Sequence, residues 1–257
     1  MYSITPIPAF NDNYIWLITG KDQLYGVIVD PGDAAPVFAA LEKSKIIPVA
    51  VLITHHHRDH SGGIPALTAQ YALQIYGSEQ AATQGLTILV NDGHTINLPI
   101  GLSFEVMSIP GHTRDHLAYY GHGMLFCGDT LFASGCGRLF EGTAAQMYQS
   151  LSRLATLPED TRIYCGHEYT LANLRFAQTV EPENAMIAER IKTASALRAQ
   201  GFPTLPSTIG LEKQTNPFLR CQEPTVIMTA EKKAGHSLTS PVDVFQTLRA
   251  WKDVFSE

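Results

Sequence analysis

One short polar segment carries the side chains best suited to hold metal ions: Thr54-His55-His56-His57-Arg58-Asp59-His60. It follows the apolar run Ile46–Ile53, which is typical of a strand buried on both faces. Alternate residues of an extended chain point the same way, so His55 and His57 can reach one point. Asp59 and His60 lie in the turn beyond and can reach a second point. The spacing therefore predicts two ligands for each of two metals, and chance clustering in a solvated loop is the alternative.

Three later residues of the same chemical type also stand just after predicted strands: His112, Asp129 and His167. A glycine precedes each of them and lets the backbone approach its neighbours closely. Each signal alone is weak, because a Gly-His pair after a strand is more often structural. Together with the residues of the histidine-rich loop, they predict a metal site at the ends of several strands.

The composition indicates a globular protein with room for one large domain and one small one. The chain has 257 residues, of which 45% are apolar and 16% charged. A formal charge of −6 without a basic block argues against nucleic acid or an anionic membrane as partner. No apolar run approaches the ~20 residues of a membrane helix, and Met1–Phe10 lacks the regions of a signal peptide. The four cysteines form no C-x-x-C pair, so we expect buried, reduced thiols and a cytoplasmic location. Separately, we expect the protein to be a monomer.

The elements that must position these residues change in type along the chain. Strand-like runs occur at Tyr14–Ile18, Leu24–Val29, Val49–Ile53, Leu73–Tyr76, Phe104–Ile109, His116–Tyr120, Met124–Cys127 and Arg162–Cys165. Helices are predicted after Asp33, at Ile64–Tyr71, after Thr143, and at Leu171–Gln178, Glu183–Gln200 and Pro241–Phe255. The stretch Phe202–Ala234, rich in Pro, Thr and Ser, is expected to be an irregular connection. We place a domain boundary at residue 169, with helices alone beyond it.

These residues resemble a known superfamily. The THHHRDH segment matches the T-H-x-H-x-D-H signature of the metallo-β-lactamase superfamily. More closely, the chain resembles the hydroxyacylglutathione hydrolase (glyoxalase II) family in five segments: DNYIW (12–16), GDTLF (128–132), GCGRLFEGT (135–143), CGHEYT (165–170) and NPFLR (216–220). The resemblance spans nearly the whole chain. It implies an α+β fold, a four-layer αβ/βα sandwich at residues 1–169, which is the catalytic domain, and a small all-helical, substrate-binding domain at residues 170–257.

The resemblance also implies a binuclear metal centre. Its first metal would be held by His55, His57 and His112, its second by Asp59, His60 and His167, and Asp129 would bridge the two. Asp59 and Asp129 would thereby serve catalysis, with a metal-bridging hydroxide as nucleophile. Imidazole and carboxylate ligands suit zinc, iron or manganese, and we expect two divalent ions per chain, with zinc the default.

The implied reaction is hydrolysis of S-(2-hydroxyacyl)glutathione, typically S-D-lactoylglutathione, to glutathione and a 2-hydroxy acid such as D-lactate. This is the second step of methylglyoxal detoxification. The resemblance places substrate contacts at Tyr169, Arg249 and Lys252, with Arg138 as a cation beside the site. Without it, Arg249 and Lys252 would read as a solvated basic helix face. Phe140 departs from the family pattern, in which a tyrosine is common, so a hydroxyl contact would be missing.

Several other functions stay open. One is another hydrolase of the superfamily, a lactonase or β-lactamase, which the helical end with its Arg-x-x-Lys disfavours. Another is an iron-dependent oxidoreductase, either a glutathione persulfide dioxygenase or a diiron electron-transfer module. The complete set Asp59, His60 and His167 disfavours the former, and the lack of a flavin-binding domain disfavours the latter. The last is a metal-binding protein without catalysis, which a thioester turnover assay would separate.

Overall fold

A computed structural model describes residues 2–20, 24–79, 85 and 87–255. The chain divides into two compact units that alternate along the sequence. Unit 1 consists of residues 1–109, 115–128 and 164–167, and unit 2 of residues 110–114, 129–163 and 168–257. The domains 1–169 and 170–257 therefore stay a prediction.

The strands, numbered in chain order, are β1 Ser3–Ala9, β2 Asn13–Thr19, β3 Tyr25–Val29, β4 Ile47–Leu52, β5 Gln74–Gly77, β6 Ile88–Leu89, β7 Thr95–Asn97, β8 Ser103–Ser108, β9 Leu117–Gly121, β10 Met124–Gly128, β11 Leu131–Phe132, β12 Gly135–Cys136, β13 Arg162–Cys165 and β14 Ser207–Thr208. The helices are α1 Ala34–Ser44, α2 Arg58–Ser61, α3 Ile64–Gln70, α4 Ala144–Leu154, α5 Thr170–Val180, α6 Ala185–Ala199, α7 Ile209–Thr215, α8 Pro224–Ala234 and α9 Pro241–Asp253. None of the helices in the described part of the chain is long and apolar enough to span a membrane.

Unit 1 contains a six-stranded sheet in the order β1-β2-β3-β4-β5-β6. The first three strands are antiparallel neighbours, and the pairs from β3 to β6 are parallel. Strand β4 lies between two parallel neighbours, as its apolar run predicts. Strand β1 was missed because Pro6 and Pro8 argue against a central strand, but β1 lies at the edge of the sheet, where proline is tolerated.

A second sheet of unit 1 runs β7-β8-β9-β10 in antiparallel pairs and continues into the end of β13. The two sheets face each other through aromatic side chains. Trp16 of β2 donates its indole N–H to the carbonyl oxygen of Cys165 at 3.0 Å, and its ring meets Tyr164 edge-on at 5.0 Å. The hydroxyl of Tyr119 on β9 donates to the Ile53 carbonyl at 2.8 Å. On the other face of the first sheet, α1 and α3 bury Val37, Leu41 and Leu67.

Helix ends in both units follow the capping residues predicted from the sequence. The Asp33 carboxylate accepts from Ala35 N at 2.9 Å and begins α1. Thr143 and Gln146 form a reciprocal capping box at the start of α4. Ser240 caps α9, with Pro241 in its first turn.

Unit 2 corrects one expectation, because residues 202–234 are not irregular throughout. This stretch contains α7 and α8. Thr208 accepts from Leu211 N at 3.2 Å and caps α7, and Pro224 stands in the first turn of α8. Thr208 and Pro224, whose residue types are common in loops, therefore mark the starts of two helices here. In the core of unit 2, the ring of Phe176 on α5 stacks on Phe218 with centroids 6.0 Å apart.

Candidate metal centre

The histidine-rich loop of unit 1 starts one residue after β4 and runs into α2. His55 is fully buried, and its ring centroid lies 4.7 Å from that of His57. Asp59 and His60 lie on α2, a single helical turn where the sequence predicts only a turn. His57 therefore ends an extended segment, and Asp59 and His60 lie on the helix that follows it.

Asp59, His60 and His167 come together within unit 1. Oδ2 of Asp59 lies 3.4 Å from His60 Nε2 and 3.5 Å from His167 Nε2. Two ligands bound at ~2.1 Å to one metal in tetrahedral arrangement lie roughly 3.4 Å apart. The spacing of these atoms thus fits a metal better than direct hydrogen bonds, which are shorter.

The backbone before His167 is held on two sides by unit 1. Gly166 N donates to the Gly128 carbonyl at 2.9 Å, and Tyr14 N donates to the Gly166 carbonyl at 2.8 Å. The end of β13 is therefore locked between β10 and β2, and His167 is presented from that fixed point.

His112 and Asp129 come together within unit 2. His112 Nε2 lies 3.5 Å from Asp129 Oδ2, and both residues are buried. Gly137 packs so closely that a β-carbon there would lie 1.9 Å from the Asp129 carbonyl oxygen and 3.0 Å from His112 Nδ1. Only glycine fits at this position, which explains the second glycine of the GCGRLFEGT segment.

The Nδ1 atoms of four histidines are each held by an oxygen. The pairs are His55 with Thr54 Oγ1 at 3.0 Å, His60 with Asp30 Oδ2 at 3.0 Å, His112 with the Arg138 carbonyl at 2.9 Å, and His167 with Asp12 Oδ1 at 2.8 Å. A metal-binding histidine commonly donates its other ring N–H to such an acceptor, which fixes the tautomer and directs Nε2 to the metal. The arrangement therefore fits metal ions at the Nε2 side.

The sequence interpretation missed these acceptors. Asp30 follows β3 just as the predicted ligands follow their strands, so its position at a strand end was an available signal. Its carboxylate also accepts from the Thr54 backbone N–H at 2.8 Å and from the Thr54 hydroxyl at 2.7 Å. Asp12 stands in the DNYIW segment, where the resemblance alone could have drawn attention to it.

Two further histidines, His56 within the loop and His116 beside it, have other contacts. The His116 ring stacks on His55, with centroids 4.5 Å apart and planes inclined by 15°. His56 Nδ1 lies 3.0 Å from Asp115 Oδ1, and the Ser78 hydroxyl donates to the other oxygen of that carboxylate at 2.8 Å. These contacts give His56 a structural partner.

The predicted substrate-binding residues all lie in unit 2. The Arg138 side chain is 63% exposed, and its Nε lies 3.7 Å from Asp253 Oδ1. Arg249 Nη2 donates to the same oxygen at 3.1 Å. Lys252 Nζ donates to the Ala172 carbonyl at 3.0 Å, and the Tyr169 ring meets Phe132 with centroids 5.2 Å apart.

Arg249 is far more buried than an exposed basic helix face would be. It is 5% exposed, and its Nη1 donates to the Cys136 carbonyl at 2.7 Å. Two of the predicted cations, Arg138 and Arg249, thus lie against one carboxylate, that of Asp253.

Phe140 is 62% exposed, and its ring centroid lies 5.1 Å from that of His112.

The cysteines do not join the candidate ligands. All four, each within the described part of the chain, are buried thiols without a disulfide. Burial raises the pKa of the Cys136 thiol from 9.0 to about 11, against the opposing effect of the Arg249 cation. Among the described residues, the groups that could hold a metal contain only histidine and carboxylate.

Two protein families together match residues 10–255 of this chain. The family described as "Metallo-beta-lactamase superfamily" matches residues 10–167, and the one described as "Hydroxyacylglutathione hydrolase C-terminus" matches residues 168–255. A hydroxyacylglutathione hydrolase from Aeromonas hydrophila subsp. hydrophila is 54% identical over 259 residues, covering 99% of this chain and 100% of that one.

Two solved structures show the same fold. The B3 metallo-β-lactamase BLEG-1 superposes with a TM-score of 0.64 at 23% identity, over 85% of this chain and 99% of that one. The protein TTHA1623, solved in a di-iron-bound form, superposes with a TM-score of 0.61 at 25% identity, over 84% of this chain and 100% of that one.

Proposed function

We propose that this chain, which belongs to the hydroxyacylglutathione hydrolase family of the metallo-β-lactamase superfamily, hydrolyses S-(2-hydroxyacyl)glutathione thioesters. Family membership is shown by 54% identity along the full length of a relative and by the two adjoining family matches. The predictions of family and of the metallo-β-lactamase fold are thereby confirmed. The typical substrate is S-D-lactoylglutathione, which yields glutathione and D-lactate in the second step of methylglyoxal detoxification.

The observation that carries the proposal is the spacing of Asp59, His60 and His167. Their ligand atoms lie 3.4–3.5 Å apart, and each imidazole has its Nδ1 held by a carboxylate. We propose that they hold one metal, that His55, His57 and His112 hold another, and that Asp129 bridges them. When bound, the two metals would lower the pKa of a bound water and would act as Lewis acids that polarise the thioester carbonyl.

The protein's own groups keep this arrangement ready for the reaction. Asp30 and Asp12 hold the tautomers of His60 and His167 so that each Nε2 carries a lone pair. The leaving group is a thiolate, whose conjugate thiol has a pKa of ~8.5. It can depart without a strong acid, which suits a site whose carboxylates are committed as ligands.

The peptide part of the substrate carries carboxylates and calls for cations. We propose that Arg138, Arg249 and Lys252, with Tyr169, bind it on unit 2. Arg138 and Arg249 share the carboxylate of Asp253, so a substrate carboxylate would compete with that residue. Arg249 is only 5% exposed, so little of its side chain is open to a substrate.

Metal identity, location and assembly are further parts of the proposal. Histidine and carboxylate ligands suit zinc, our default, and iron or manganese as alternatives. The di-iron form of TTHA1623, a protein 25% identical to this chain, supports iron as the first alternative. Four buried thiols without a disulfide support a reducing, cytoplasmic location. We propose that the protein is a monomer in solution, which light scattering would test.

The decisive experiment is metal analysis and thioester hydrolysis on one purified sample. We expect about two metals per chain, as in other two-metal sites, and turnover of S-D-lactoylglutathione. A β-lactam and a lactone serve as comparison substrates for other hydrolases of the superfamily. Metal-loaded protein that turns over a lactone or β-lactam but no thioester would contradict the proposal.

A further inference from the structure

A tight ribbon, residues 129–138 of unit 2, carries both the Asp129 side chain and the carbonyl that orients His112. It leaves Asp129, forms the hairpin of β11 and β12, and returns through Gly137 to Arg138. Gly137 N donates to the Thr130 carbonyl at 3.2 Å, which joins the two arms next to Asp129. The Arg138 carbonyl lies 2.9 Å from His112 Nδ1. Any shift of the 129–138 ribbon therefore moves both candidate ligands of unit 2.

The tip of this ribbon is buried, and side chains of distant helices bind its backbone. Asn173 of α5 donates to the Ala133 carbonyl at 3.1 Å. Asn216, at the end of α7, donates to the carbonyls of Phe132 at 3.2 Å and Gly135 at 2.9 Å. These groups are buried, and buried backbone groups need a partner. Side chains from residues 173–249 thus donate hydrogen bonds to backbone carbonyls that the short hairpin leaves without a partner of its own.

The carboxylate of Glu212 binds the backbone of Ser134 at the tip. Its Oε2 accepts from the Ser134 backbone N–H at 2.7 Å and from Asn216 Nδ2 at 3.0 Å. Its Oε1 accepts from Arg190 Nη2 at 2.6 Å, and the residue has no exposed surface. Ser134 has a φ of +54°, a conformation that costs energy for a residue other than glycine. The hydrogen bond from Ser134 N–H to the charged Glu212 carboxylate therefore stabilises the hairpin in this unfavourable backbone conformation.

We propose that Glu212, held by Arg190, is a positioning residue for the metal centre. Through Ser134 it fixes the 129–138 ribbon, and through the ribbon it sets the Asp129 carboxylate and the acceptor of His112. The helical end of the chain then serves metal retention as well as substrate binding. This inference rests on the proposed function, because it takes Asp129 and His112 as metal ligands.

The test compares Glu212→Gln with a matched control. Glutamine keeps the shape of the side chain and removes its charge. The control is Glu181→Gln, since Glu181 is also a buried carboxylate of unit 2, accepting from Arg220 Nε at 2.7 Å and Nη2 at 2.9 Å. Its side-chain partners are Arg220 and Thr225, and within the described part of the chain Glu181 has no hydrogen bond to the ribbon. The readouts are the chelator concentration that removes half of the bound zinc and the Tm of the metal-free protein.

We expect Glu212→Gln to lose half of its zinc at about tenfold lower chelator concentration, the low end of the range for groups that orient metal ligands. Glu181→Gln should match the wild-type protein in zinc retention while losing a similar amount of metal-free Tm. Equal zinc retention in the two variants would overturn the inference and leave Glu212 a purely structural residue.

A second variant covers the case in which Glu212→Gln does not fold. Asn173→Ala removes one neutral bond to the ribbon tip and should also shift zinc retention downward, by less than the charged residue would. Unchanged retention in Asn173→Ala would then overturn the inference. A wild-type chain that binds no metal would contradict the proposed function itself, whereas two metals in the wild-type protein and unchanged variants contradict only the positioning role.

Discussion

Nδ1 of His167 lies 2.8 Å from Oδ1 of Asp12, a residue 155 positions earlier in the chain. A carboxylate in this place would direct the Nε2 lone pair of a metal-binding imidazole toward its metal and raise its basicity. We therefore predict that Asp12→Ala weakens binding of one of the two metals by ~10–100-fold. Competition with a coloured chelator measures the loss. Asp33→Asn, which changes a carboxylate at a helix start, should leave both affinities unchanged.

Removal of the proposed bridge should cost more metal than removal of a ligand to one metal. Asp129→Ala should lose both metals on dialysis, whereas His167→Ala should keep close to one per chain, because the other set of ligands stays complete. Metal content per folded chain, from elemental analysis and circular dichroism, measures the difference. Equal loss in the two variants would count against the bridge.

Substrate selection should depend on the cations of unit 2. Charge-assisted hydrogen bonds contribute ~1.5–3 kcal/mol each, so Arg249→Ala with Lys252→Ala should raise KM for S-D-lactoylglutathione at least ~10-fold. Assayed with excess zinc, which offsets the weaker zinc retention expected of Arg249→Ala, the double variant should show little change in kcat, the signature of lost uniform binding. A small thioester without the glutathione carboxylates should hardly respond, and neither should the exposed control Lys232→Ala.

Single variants separate the two roles of this helix. Arg249 also donates to the Cys136 carbonyl, so Arg249→Ala should lower zinc retention as well as substrate affinity. Lys252→Ala should lower substrate affinity alone. If both thioesters suffered alike in Lys252→Ala, that residue would be supporting the fold.

Alkaline pH should destabilise the metal-free protein partly through Cys136. Burial raises the pKa of this thiol from 9.0 to about 11, so the unfolded chain releases the proton first as the pH rises. The free energy of unfolding should then fall between pH 9.0 and about 11. Cys136→Ala should reduce this fall by up to roughly 3 kcal/mol. Urea denaturation at a series of pH values measures the slope, and parallel curves for the two proteins would refute the assignment.

Local patterns predicted much of this structure. The apolar run before Thr54 gave β4, and the capping residues at Asp33, Thr143 and Ser240 placed three helix starts. Such signals act over a few residues, so they can be read from neighbouring side chains. The one-turn helix that carries Asp59 and His60 is too short to show a periodic pattern.

Hydrogen-bond partners that are far apart in sequence could not be predicted from such local patterns. The acceptors of His60 and His167 are 30 and 155 positions away. Arg249 has the sequence environment of a basic helix face, yet it is buried, and its guanidinium donates to the Cys136 carbonyl, 113 positions earlier. Helices α7 and α8 were missed for a different reason, since their capping residues also occur in loops.

The anchoring of the 129–138 ribbon has a consequence for how the enzyme matures on the ribosome. Ser134 is synthesised 78 residues before its partner Glu212, and Cys136 is synthesised 113 residues before its partner Arg249. Contacts this distant in sequence form late, and nascent chains grow at about 5–20 residues per second. Asp129 thus emerges seconds before the side chains that hold its ribbon exist. We therefore expect stable loading of the proposed metals to follow completion of the chain, and a nascent chain stalled before α7 should leave Asp129 without its support.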